Sequence, residues 1–186
     1  MSRLLLSIVI LLILAYGFYA GSRRGVVLEL IYTIAYALVL IIAVATYAGL
    51  WPKFQLIVPY PSAILNSKFA FFNLAAGLTL DKSFYAGFAF LFVLFGGWLV
   101  IRFVMIFAHR LTYLDIKQPF NKIAGGILGL IVTYIGLFFI IYLLALIPIN
   151  TLQEQLAHSP LSVLMVKYTP FFSSHVHQWW IDSILK

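Results

Sequence analysis

Four long apolar runs decide which solvent this chain can fold in. They cover residues 4–21, 26–50, 84–107 and 123–147, and the only charged residues inside them are Glu29 and Arg102. A helix rises 1.5 Å per residue, so roughly 20 residues cross the hydrocarbon of a bilayer. No run alternates apolar and polar residues in the manner of a barrel strand. The expected fold is an all-α membrane protein with four transmembrane helices. Composition removes the soluble alternatives: 64% of the 186 residues are hydrophobic and 9% charged, against about 45–50% and about 25% in soluble domains. The first run reads as a retained span, because it exceeds the 7–15-residue core of a signal peptide. Cleavage after Ala20 would also place bulky Phe18 where a small residue is needed.

The connections differ. Residues 22–25 are so few that spans one and two must form a tight antiparallel hairpin. Residues 51–83 are long and apolar, and Pro59 and Pro61 forbid a continuous helix there. Beyond them Ile64, Leu65, Phe69, Phe72 and Ala75 fall near helical spacing. That predicts an interfacial or re-entrant helix within 54–80. After Pro148 comes an amphipathic C-terminal tail broken at Pro160 and Pro170. It ends in "HQWWIDSILK", whose paired tryptophans suit a headgroup region. The domain reading is a four-span domain over 1–150 and a tail over 151–186.

Twelve basic residues against five acidic give a net charge of +7. They lie at the ends of apolar runs, where they act as topology signals and meet anionic lipid headgroups, so nucleic acid is not an expected partner. Arg23, Arg24, Arg110, Lys117 and Lys122 crowd the short first and third connections. Arg3, Lys53, Lys68, Lys82 and Lys167 are spread over far more sequence on the opposite face. Density favours the first face as cytoplasmic, with both termini extracytoplasmic. The chain has no cysteine, which excludes disulfides, thiolate zinc sites and cysteine nucleophiles.

Polar residues in the spans are the candidates for function. The stretch "GFYAGSRRGVVLEL" at 17–30 holds Arg23, Arg24 and Glu29. These residues anchor the hairpin, or they dock an anionic lipid head or a partner protein. Arg24 and Glu29 are five apart and meet only if the chain between them departs from ideal helix. Glu29 lies in the first turns of span two, where a carboxylate suits the helix N-terminus. Gly17, Gly21 and Gly25 repeat at four, and "NKIAGGILGLIVTYIG" sets Asn121, Gly125, Gly129 and Thr133 on a second stripe. Two such stripes predict close helix crossings, inside one subunit or between copies in a homo-oligomer. Arg102 reads as a side chain snorkelling to the membrane edge. His175 and His177 do not have metal-ligand spacing on a helix.

No nucleophile–base pair or carboxylate pair lies at matching depth, and His109 sits at an edge. Neither an enzyme, nor a cofactor site, nor an ion-coupled carrier is expected. One rival is a small channel or transporter subunit whose water path Tyr32, Tyr36, Asn66, Asn73 and Arg102 would line. Another is a scaffold whose tail binds an envelope protein.

Three stretches carry a family resemblance: 17–43, 119–148 and 159–172, the last reading "SPLSVLMVKYTPFF". They resemble the glycine- and arginine-bearing hairpin, the asparagine followed by spaced glycines, and the serine-bearing segment of the bacterial colicin V production protein (CvpA) family. The resemblance implies a four-span, multi-pass protein of the bacterial inner (cytoplasmic) membrane with no known enzymatic activity. Such a protein is needed for colicin V-type peptide-toxin (bacteriocin) production or secretion in some bacteria, and for envelope upkeep. Members joined to extracytoplasmic serine proteases after the fourth span agree with an outside tail. Arg23, Arg24 and Asn121 would be the positions holding the hairpin and the fourth span.

Overall fold

The computed structural model describes residues 4–61, 63–64, 67–72, 80–107 and 118–183. Four helices are long and apolar enough to cross a membrane: α1 (Leu5–Arg24), α2 (Val26–Phe54), α3 (Leu80–Met105) and α4 (Gln118–Ala145). Three short helices follow, α5 (Asn150–His158), α6 (Pro160–Tyr168) and α7 (Phe172–His177), and a π-helical turn at Gln178–Asp182. Among the described residues there is no strand. The protein is an all-α, membrane-embedded chain.

The helix ends refine the expected spans. α1 runs through both arginines, so the connection placed at 22–25 shrinks to Gly25 alone. α2 passes Pro52, which sits in its last turn, where a missing backbone donor breaks little of the helix. α4 begins five residues early, with Pro119 in its first turn, where the absent N–H has no intrahelical partner to lose.

Between α2 and α3 the described residues contain no helix, so the expected interfacial or re-entrant helix is not found at Ile64, Phe69 or Phe72. Leu65, Asn66, Asn73 and Ala75 lie outside the described residues. The physical reason is competition for backbone donors. Lys68 N donates to Asn150 Oδ1 at 3.1 Å and Ala70 N to Gln153 Oε1 at 2.9 Å, both from the segment after α4. The Tyr60 hydroxyl donates to Leu146 O at 2.9 Å. Burial, and then the nearby Asp81 carboxylate, push that phenol above its ordinary range, so it stays a donor.

The chain divides into two compact units. One unit gathers Met1–Val9, Val44–Leu91 and Phe138–Lys186; the other gathers Ile10–Ala43 and Phe92–Leu137. In the first, α5–α7 are part of the core. Trp180 is fully buried, with its ring 5.4 Å from Phe90 and 5.6 Å from Tyr142. Of the tryptophan pair, Trp180 is therefore packed inside the protein, while Trp179 is half-buried. Gly87 leaves room for Trp180, since a Cβ there would lie 2.8 Å from its ring. Gln153, 1% exposed, donates to Ala145 O and Ile147 O at 3.1 and 2.7 Å, satisfying carbonyls that the end of α4 orphans. Ser159 caps α6 by accepting from Ser162 N, and its hydroxyl lies 2.8 Å from that of Ser7.

Candidate functional site

The second unit holds the polar residues that the sequence singles out, and Gly25 explains how they meet. Gly25 N donates to Gly21 O and Glu29 N to Gly25 O, both at 3.0 Å, so helical bonding reaches the turn from each side. Its φ of 79° lies in the left-handed region, which only glycine enters without strain. That one reversal brings residues five apart into contact. Arg24 Nη1 donates to Glu29 Oε2 at 2.7 Å, with the carboxylate side chain 2% exposed and the arginine 21%. The Glu29 backbone also holds a side chain, because Thr33 Oγ1 donates to its carbonyl at 2.7 Å.

The ion pair opens onto an aromatic cluster. The Arg24 guanidinium lies 4.8 Å from the centre of the Tyr32 ring, and Arg102 of α3 lies 5.5 Å from the same ring. Arg102 also lies 5.4 Å from the Trp98 ring. Tyr32 stacks on Tyr36 with centroids 5.8 Å apart. Tyr32 also belongs to a buried apolar cluster with Leu28, Ile101 and Met105, against which Tyr36 packs. Each arginine on a ring face gains an attraction that strengthens as water is excluded. Arg102 Nε and the Tyr36 hydroxyl are buried with no hydrogen-bond partner among the described residues.

The three residues expected to act together therefore separate. Arg24 and Glu29 form a pair, while Arg23 is exposed in the last turn of α1. Arg102, read from the sequence as snorkelling, lies against the Tyr32 and Trp98 rings of the cluster. The signal that marks it is spacing: Leu28, Tyr32 and Tyr36 repeat at four on α2, and Trp98 and Arg102 repeat at four on α3, which puts each set on one helical face. Of the residues named for a water path, Tyr32 is 6% exposed and packed within this cluster. Asn66 and Asn73 lie outside the described residues.

The two glycine stripes face one another within the chain, α1 against α4. Gly17 faces Thr133, Gly21 faces Gly125 and Gly129, and Gly25 faces Asn121. A Cβ on Gly129 would lie 2.6 Å from Gly17 O and 2.9 Å from Gly21 Cα, so backbone meets backbone here. Asn121 closes the crossing. Its Oδ1 accepts from Val26 N at 2.7 Å and so satisfies one of the donors that the start of α2 leaves free. Asn121→Ala is expected to cost about 1–3 kcal/mol by orphaning that donor. Asn121→Asp, which keeps an acceptor there, should recover most of the loss in a thermal melt in detergent. Equal melting of the two variants would remove the capping role.

Among the described residues, no group of three His, Asp or Glu stands close enough to hold a metal. His177 Nδ1 lies 3.5 Å from Asp182 Oδ2, on the exposed face of the C-terminal turn.

Comparison with known proteins places these features in a wider context. The sequence family described as colicin V production protein matches residues 6–170. That range takes in nearly all of α1, the hairpin, the other three spanning helices, α5 and α6. The uncharacterized transmembrane protein YshB of Bacillus subtilis (strain 168) is 23% identical over 176 residues, which cover 95% of this chain and 97% of that protein. No solved structure matches the chain.

Proposed function

Because the chain belongs to the colicin V production protein family, we propose that it is a non-enzymatic protein of the bacterial cytoplasmic membrane that supports peptide-toxin production or export. Upkeep of the envelope is the second part of the same reading. The observation that carries it is the continuous family match over 6–170. The geometry agrees with a scaffolding role, because the buried carboxylate Glu29 is committed to Arg24 and is not free for acid–base work. On this reading the Gly25 turn faces the cytoplasm, where short basic connections are retained, and both termini lie outside. The partners are anionic membrane lipids and an envelope or secretion protein, with a second copy of the chain as another candidate.

The test measures where the toxin is. A bacterium that secretes a peptide toxin and lacks this gene should retain toxin inside the cell or make less of it. Restoring the wild-type chain should return toxin to the medium, and the Arg23→Ala, Arg24→Ala double variant should do so less well. Toxin unchanged in both compartments on loss of the gene would sink the toxin reading.

A further inference from the structure

Among the described residues, the charge balance of the cluster leaves one cation over. Arg24 is neutralised by Glu29 at 2.7 Å. Arg102 has no ion pair among the described residues, and its guanidinium lies against the Tyr32 and Trp98 rings. Its Nε is covered and has no hydrogen-bond partner among the described residues, yet the residue as a whole is only partly buried. A cation near the end of a spanning helix, without a carboxylate among the described residues and held against ring faces, is a preformed fork for an oxyanion.

The surface around it says which oxyanion. Phe95, Leu99 and Phe103 repeat at four along α3 and are exposed, as is Phe107 in the turn just beyond it, and Trp98, stacked on Phe95 at 5.7 Å, is 40% exposed. That stripe is a surface for hydrocarbon, and it runs past Arg102 to the helix end. A ligand that satisfies both features has a phosphate for the guanidinium and acyl chains for the stripe. We propose that Arg102, oriented by Tyr32 and Trp98, holds the phosphate of an anionic phospholipid whose chains lie along α3. The conspicuous pair at 23–24 is then not the centre of the lipid site: Arg24 is internal structure, and the headgroup cation is the arginine of a different helix. This inference does not depend on the toxin reading.

The experiment uses the purified full-length chain in detergent, with bound lipid counted by native mass spectrometry. Phosphatidylglycerol, phosphatidylcholine and glycerol 3-phosphate are each added to the wild type, Arg102→Gln, Arg102→Lys and Lys53→Gln. The wild type should retain phosphatidylglycerol over phosphatidylcholine by roughly tenfold, because the choline cation of phosphatidylcholine offsets the phosphate charge that an unpaired guanidinium selects. That preference should fall as salt rises. Arg102→Gln should abolish the preference, Arg102→Lys should keep part of it, and Lys53→Gln, at the far end of α2, should not change it. No preference in the wild type would overturn the proposal, as would a preference that survives Arg102→Gln. Glycerol 3-phosphate binding as tightly as the lipid would assign the site to a soluble phosphate and overturn the lipid assignment. If Arg102→Gln does not fold, Arg102→Lys and the salt series on the wild type still decide the matter.

Discussion

Gly125→Leu is expected to separate α1 from α4 and to lower stability by about 3 kcal/mol, the top of the usual range for overpacking. The size follows from what the new side chain would meet. A Cβ at Gly125 would lie 2.7 Å from Gly21 O and 2.8 Å from Gly25 C, which are backbone atoms that cannot rotate away. Only movement of a whole helix relieves the overlap, and that movement also withdraws Asn121 from Val26 N. Inside a bilayer no hydrophobic force presses the helices back together, because lipid tails are as apolar as the side chains. The lost close contact is therefore not recovered elsewhere. At roughly 2–4 °C per kcal/mol for a chain of this size, the melt in detergent should fall by about 6–12 °C. Gly136→Leu is the control, because nothing lies within 4 Å of a Cβ built there. If the two variants melt together, the crossing does not hold the fold.

How far the sequence reveals this arrangement depends on which interaction sets each element. The four spans are legible because hydropathy alone decides them, and the boundaries differ from the structure by only a few residues. The facing glycines are legible too, because a four-residue repeat is a property of one helix. Which stripe meets which is not written in either repeat, and it emerges only when Gly17 faces Thr133 and Gly21 faces Gly125. The described part of the segment after α2 is not helical, for the opposite reason. Ile64, Phe69 and Phe72 have helical spacing, but Asn150 and Gln153, some 80 residues later, take backbone donors there. Trp180 likewise resembles an interfacial residue in sequence and is buried in the structure because Gly87 opens a space for it. The candidate site shows the same limit. Arg24 and Glu29 are near neighbours in the chain and are read together, whereas Arg102 joins them through a tyrosine 70 positions away.

Arg24→Ala should destabilise the chain more than Glu29→Gln, although the two remove partners of one ion pair. The asymmetry comes from burial. Glu29 is 2% exposed and Arg24 21%, so removing the arginine strands a carboxylate where water cannot reach it. Removing one partner of a buried pair in this way costs about 3–5 kcal/mol. Removing the carboxylate strands a guanidinium that still lies on the Tyr32 ring and can extend its long stem toward the membrane edge. That loss should be smaller by a factor of about two, given the modest size of partly exposed pairs. Combining Arg24→Ala with Glu29→Gln should then recover much of the single arginine loss, because the stranded charge is gone, and the double-mutant cycle should show coupling well above 0.5 kcal/mol. Melting temperatures of the four proteins in one detergent supply the cycle. Equal losses from the two single variants that simply add in the double would mean that the pair is not a coupled unit. The positive φ at Gly25 would then serve only to turn the chain, and the contact at 2.7 Å would be its by-product.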